Sequence, residues 1–150
     1  MPCTFITEII ISPAYSPAGV GIKSNSVKNF LDANQIKTPS NWGVFKSVDG
    51  GSSWNIIDSG MSGSRYRPLI AVTNANPEVI YALFSASDYS FHGLYKSSDE
   101  GENWVLQSNS PNILGRDTDG TSTGGQSWYD LSLGVATNNE NLVYVGGINL

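Results

Sequence analysis

The feature that most constrains this chain is a frame it uses twice. SVDGGSSW at 47–54 and SSDEGENW at 97–104 both read Ser-x-Asp-x-Gly-x-x-Trp, and both follow a similar lead, GVFK at 43–46 and GLYK at 93–96. Four matched positions returning after 50 residues, from Ser47 to Ser97, mark an internal repeat. Runs rich in β-branched and aromatic residues lead into each frame (GVFKS, GLYKS) and out of it (WNII at 54–57, WVLQ at 104–107). The pattern is strand, tight Gly/Asp turn, strand, so each frame is read as a hairpin tip.

A second unit repeats elsewhere. PLIAVTNANPEVIYA at 68–82 aligns without gaps on LSLGVATNNENLVYV at 131–145, Tyr81 falling on Tyr144. Strand, Asn/Pro turn, strand is again expected, and EIIISPA at 8–14 reads as the first half of a third copy. Only SVKNFLDANQ at 26–35 has a helix-like apolar spacing. In order, the units make a module of four antiparallel strands, IAVT (70–73), VIYALF (79–84), GLYKS (93–97) and NWVLQ (103–107), and the next begins at LSLGV (131–135). Four antiparallel strands recurring at about 50 residues is the pattern of β-propeller blades.

The expected fold class is therefore all-β, a partial propeller. The first blade covers about 1–64, the second 65–108, a long connecting loop 109–130, and the start of a third blade 131–150. Roughly four to eight blades close a ring, and the sequence stops at Leu150, where Val44 and Leu94 stand in the earlier copies, so it is read as a fragment. On that reading the isolated chain exposes blade faces and strand edges, and the remaining blades are partners outside it.

Composition agrees with a turn-rich β protein: of 150 residues 39% are hydrophobic, 14% are charged, and 16 are glycine and 7 proline. The net charge of −5 comes from scattered acids and bases, which leaves no footprint for nucleic acid. Cys3 stands alone, so cysteines fix neither a disulfide nor a metal cluster. No run has the length of a bilayer span, and the N-terminus lacks the marks of a signal peptide.

Within each tip, Asp49 or Asp99 can accept hydrogen bonds from turn N–H groups, Ser47 or Ser97 can do so more weakly, and Gly51 or Gly101 can take a positive φ. Trp54 and Trp104 then open the outgoing strand and can pack back over the hairpin. These eight residues are assigned to structure.

The frame resembles the Asp-box, or BNR repeat, of sialidases, sortilin-type receptor domains, xyloglucan-cleaving glycoside hydrolases and many secreted bacterial propellers. Ser53 and Asn103 stand where that family often has Thr. Together with ANPEVIYALF, SPNILG and GGQSWYDLSLGV, nearly the whole chain resembles large secreted proteins of Bacteroidetes described as sortilin-like or glycosyl-hydrolase-like. The resemblance implies an extracellular or cell-surface location and boxes that are structural, between third and fourth strands, on the face away from the ligand.

Loop lengths point the same way. Tight turns, NANPE at 74–78 and DEGE at 99–102, share the box face. SASDYSFH at 85–92, the connection from Ser108 to Asp130, and an insertion from about Tyr15 to Trp42 belong to the other, where binding and catalysis tend to be placed.

Three features of those loops carry candidate chemistry. Asp117, Asp119 and Gly120 have the oxygen alternation that opens a calcium loop, but the downstream acid is missing, so a self-bonded Asp/Gly turn is expected and no metal or cofactor. QSWYD at 126–130 places Trp128 and Tyr129 where rings can stack on a pyranose and Asp130 where a carboxylate can bond hydroxyls or move a proton. Tyr129 and Asp130 align on Tyr66 and Arg67 of the preceding unit. The plainer alternative is that Trp128 and Tyr129 cover a blade junction and Asp130 caps a turn.

Arg65 and Arg67 in SGSRYRPL form the third feature, candidates for a ligand carboxylate. The arginine segment of sialidases, Tyr/Phe-Arg-Ile-Pro, is only partly matched by YRP at 66–68. His92, with no second histidine beside it, is read as a loop residue. The function expected is a glycan- or protein-binding or scaffold propeller. The alternative is part of a glycoside hydrolase acting on a polysaccharide, in which Asp130 is the one nameable acid and its partner lies outside this chain.

Overall fold

In the computed structural model the described residues are 8–12, 43–49 and 53–148. They form nine strands: β1 Glu8–Ser12, β2 Gly43–Ser47, β3 Asn55–Ile56, β4 Pro68–Val72, β5 Ile80–Ser85, β6 Phe91–Ser97, β7 Val105–Ser108, β8 Ser132–Ala136 and β9 Asn139–Gly146. The fold is all-β, every pairing is antiparallel, and no helix occurs among the described residues. The stretch with helix-like spacing at 26–35, the insertion from Tyr15 to Trp42, Gly51 and Leu150 lie outside them.

The chain divides into two compact units, Met1–Asp58 and Ser59–Leu150. The first holds a three-stranded sheet in the order β1-β2-β3; the second holds a four-stranded meander, β4-β5-β6-β7, and a hairpin, β8-β9.

The sequence repeats return as strand registers. Phe45 pairs with Ile56 and Lys46 with Asn55, and 50 residues on Tyr95 pairs with Leu106 and Lys96 with Val105. Likewise Ile70 opposes Ala82 and Val72 opposes Ile80, as Leu133 opposes Val145 and Val135 opposes Val143.

One alignment differs from the sequence expectation. EIIIS is not the first strand of its unit, because β1 pairs directly with β2, Glu8 opposite Ser47, as β5 pairs with β6, Ile80 opposite Ser97. It holds the second-strand position. An unbroken apolar run such as Ile9-Ile10-Ile11 lacks the alternation that would distinguish a strand covered on one face from one covered on both.

Burial explains why β5 organises the second unit. All six of its residues are buried, since it has sheet neighbours on both edges and packing on both faces. Burial then declines across the meander: β6 alternates between buried and half-buried, and β7 is mostly exposed. Leu83, Phe91 and Leu114 form a core cluster, with Leu69, Leu94, Leu131, Leu133 and Val145 packed around it. β4 lies beside β8. Thr73 Oγ1 donates to Ala136 O at 2.6 Å and Tyr81 Oη to Glu140 O at 3.0 Å, joining the meander to the hairpin.

The two Ser-x-Asp-x-Gly-x-x-Trp turns close in the same way. Asp99 Oδ1 accepts from Ser97 Oγ at 2.7 Å and from Asn103 N at 2.9 Å, while Oδ2 accepts from Asn103 Nδ2 at 2.9 Å. Asp49 does the same with Ser47 Oγ at 2.9 Å, Ser53 N at 2.8 Å and Ser53 Oγ at 2.6 Å. The residue before Trp, Ser53 or Asn103, thus supplies a side-chain donor to the second carboxylate oxygen. Ser97 Oγ also accepts from Gly101 N at 2.8 Å, and Gly101 takes a φ of 94° that a Cβ would disfavour. Trp54 and Trp104 are each 3% exposed.

This geometry predicts an acid limb of stability. The side chain and backbone of Asn103, and then Ser97, hold the Asp99 carboxyl below its usual range. A depressed folded pKa adds stability that is present above the unfolded value, about 3.9, and lost as pH falls through the folded one. Asp99→Asn should therefore flatten the fall in stability below pH ~4, followed by urea titration across acidic pH. An unchanged acid limb would show that the turn does not depend on the charge.

Candidate functional site

The two ends of the second unit differ in construction. At one end lie the short turns: Glu100 N donates to Glu78 O at 2.9 Å, which brings the 98–104 turn against the β4–β5 connection, and Trp104 N donates to Ser59 O at 2.9 Å. The long segments 86–90 and 109–130 meet at the other end.

Segment 109–130 is a folded loop. Asn112 is its hub, Oδ1 accepting from Phe91 N at 2.9 Å and Nδ2 donating to Ser122 O at 3.0 Å and Gly124 O at 2.9 Å. Leu114, 2% exposed, plugs the loop into the core beside Leu83 and Phe91. Burying a leucine is worth roughly 1.5–3 kcal/mol, so this single side chain is a substantial anchor. Gly125 N donates to Asp88 O at 3.1 Å and Ser127 N to Tyr89 O at 3.4 Å, tying the loop to the β5–β6 connection.

Above that clamp the chain turns at 126–130, with Tyr129 N and Asp130 N both donating to Gln126 O at 3.2 Å. The turn pushes two large rings outward: Trp128 is 59% and Tyr129 55% exposed, packed edge to face with centroids 4.2 Å apart. Together they give this loop an exposed aromatic surface. Gln126 bridges Tyr129 Oη and Arg116. Because guanidinium only donates, the amide oxygen faces Arg116, accepting from Nε and Nη2 at 3.0 Å, and the amide nitrogen faces the phenol. The opposite amide orientation makes the phenol the donor to the amide oxygen and turns the amide nitrogen toward a cation. Asp130 is half-buried, and among the described residues no protein donor reaches its carboxylate.

The other candidates have different surroundings. Tyr66 is half-buried, its N donating to Ser85 O at 2.8 Å and its ring forming a T-shaped pair with that of Tyr89, centroids 5.6 Å apart. Arg67 is half-buried, its carbonyl taken by Ser85 N at 3.0 Å. Arg65 is 7% exposed, with its guanidinium 5.6 Å over the Phe84 ring. His92 stacks on Tyr95, and its Nε2 lies 3.1 Å from Ser62 O.

Asp119 closes its own turn, accepting from Thr121 N at 3.0 Å and Thr121 Oγ1 at 2.7 Å, and the hydroxyl bond, then the backbone bond, lower its pKa. Asp88 does the same with Ser90, and the Ser90 hydroxyl lowers its pKa most. Among the described residues no three His, Cys, Asp or Glu side chains converge as metal ligands. No helix of the described residues is long and apolar enough to cross a membrane.

Tyr89, Gln126, Arg116 and Asn112 are parts of this site that the sequence reading did not single out as site residues. Tyr89 sits in a polar run, SASDYSFH, with no motif around it. The Arg116–Gln126 contact spans a loop whose path no local pattern specifies. The one available signal was Asn112 between Pro111 and a short apolar pair, a residue type that organises loops by bonding backbone.

No family model, no curated protein and no solved structure matches this chain.

Proposed function

We propose that the chain is part of a secreted or surface-attached Asp-box β-propeller whose long-loop end binds a glycan. The meander β4–β7 corresponds to one blade, β1–β3 to three strands of another and β8–β9 to the first two of a third. The observation that carries the reading is the exposed Trp128–Tyr129 pair, standing on a loop pinned by Leu114 and Asn112 at the end away from the 98–104 turn. A rigid loop presenting ring faces suits the apolar face of a pyranose, and Asp130 beside it suits hydroxyl donors.

The test is calorimetry against neutral and acidic oligosaccharides. Trp128→Ala should weaken binding of a neutral oligosaccharide about tenfold, with little dependence on salt, because stacking is not screened. Arg67→Ala should matter for acidic sugars, where a charge-assisted bond is available. Asp99→Asn, at the opposite end, should leave affinity per folded molecule unchanged. Binding that survives Trp128→Ala and Asp130→Asn but is lost with Asp99→Asn would reverse the ends. Hydrolysis of the bound oligosaccharide, lost in Asp130→Asn, would move the protein to the glycoside hydrolases, whereas binding of a peptide and no glycan would favour a sortilin-like receptor.

A further inference from the structure

Tyr89 takes a φ of 67°. The left-handed region is strained for a bulky side chain, and glycine or asparagine would make the same turn with less strain, so the turn gives no reason for a tyrosine. The surroundings over-determine the conformation. Tyr89 N donates to Ala86 O at 3.0 Å, Ala86 N to Ser90 O at 2.8 Å, and Asp88 Oδ1 accepts from both Ser90 N and Ser90 Oγ. Two buried hydroxyls belong to residues whose backbones bond to Tyr66 and Tyr89, those of Ser85 and Ser127, and neither hydroxyl meets a hydrogen-bond partner. Strain and unpaired polar groups held together at a loop end are what a functional constraint leaves behind.

The Tyr89 ring is not in the core. The residue is half-buried, and its ring packs against Tyr66 at 74° with centroids 5.6 Å apart. In a T-shaped pair each ring keeps at least one face clear of its partner, which leaves a face for stacking on a ligand. Its carbonyl accepts from Ser127 N, one residue before Trp128, so a single hydrogen bond ties this pair to the Trp128–Tyr129 pair. Two T-shaped aromatic pairs therefore occupy one loop end.

We propose that Tyr66 and Tyr89 form a second aromatic subsite, for a sugar ring further along the same ligand than the one on Trp128 and Tyr129. The ligand is then an extended neutral oligosaccharide rather than a single sugar. The proposal rests on the glycan-binding reading above and adds a chain-length requirement to it. The probe is a series of neutral β-linked gluco-, xylo- and manno-oligosaccharides from disaccharide to hexasaccharide, titrated into the intact protein.

Affinity should rise with length. Tyr89→Asn, which keeps a residue at home in the left-handed region, should hold or raise the melting temperature, weaken the hexasaccharide about fivefold to tenfold and leave the disaccharide unchanged. Trp128→Ala should weaken both. Length-independent affinity, wild-type hexasaccharide binding by Tyr89→Asn, or an equal loss at every length would overturn the second subsite and leave the first standing. Absence of binding to every member of the series would overturn both.

Discussion

Trp104→Ala is expected to destabilise the second unit by about 3–5 kcal/mol, the usual cost of truncating a buried tryptophan to alanine. The indole is 3% exposed although it sits at the tip of a hairpin whose following strand, β7, is mostly in water. Tip and strand are therefore held by this side chain more than by the strand's own burial. Its backbone is fixed as well, N–H to Ser59 O at 2.9 Å, and Gly60 packs so closely on the Trp104 carbonyl that a Cβ would collide with it. The backbone that carries the ring is thus held by the segment before β4, and truncation removes a buried indole from above it. Urea denaturation of the variant, monitored by circular dichroism, measures the loss. A change below ~1 kcal/mol would mean that the indole is not packed in solution. Affinity per folded molecule for any loop-end ligand should not move, because the tip and the Trp128 loop are at opposite ends of the unit.

The sequence conveys the hairpin tips well because each is a local object. Ser, Asp, Gly and Trp lie within eight residues, and the bonds that close the turn run among them. Register follows for the same reason: a tight turn leaves few ways to pair the strands it joins, so a repeated turn becomes a repeated register. The strand position of Glu8–Ser12 is not local. It is decided by pairing with Gly43–Ser47, across a segment that no short-range pattern bridges.

The loop end is legible in part. Trp128 and Tyr129 stand out as large rings in a Gly/Ser-rich stretch, yet their exposure depends on how 109–130 folds, and that depends on Leu114 reaching Leu83 and Phe91. Tyr89 illustrates the harder limit. Its positive φ is imposed by Ser90, Ala86 and Ser127 together, and nothing about a tyrosine in a polar run announces it. Arg65 shows another limit: two residues from Arg67 and of the same chemistry, it is 7% exposed with its guanidinium over the Phe84 ring, whereas Arg67 is half-buried, a difference that sequence proximity does not reveal.

Gly125 should be the most sensitive position of the loop end, and for space rather than backbone conformation. A Cβ there would collide with Tyr89 O and stand 2.6 Å from Leu114 O, both backbone atoms that no side-chain rotation can move. Its neighbour Gly124 has the opposite requirement: a φ of 72°, with its nearest obstacle, Asp88 O, at 3.2 Å. The two glycines therefore predict different responses to substitution. Gly124→Asn should be tolerated at a cost of about 1 kcal/mol or less, since asparagine visits the left-handed region readily. Gly125→Ala should cost about 1–3 kcal/mol or more, as for overpacking against a structure that cannot yield. The collision also pushes apart the two segments that carry the aromatic pairs, Tyr89 on one side and Ser127-Trp128 on the other. Binding of a long neutral oligosaccharide should consequently fall further in Gly125→Ala than in either Trp128→Ala or Tyr89→Asn, even at temperatures where the variant remains folded by circular dichroism. If instead Gly125→Ala keeps both its melting temperature and its affinity, the packing of 109–130 against the β5–β6 connection is not as tight as the hydrogen bonds to Asp88 and Tyr89 require, and the rigid platform on which the glycan-binding reading depends is lost with it.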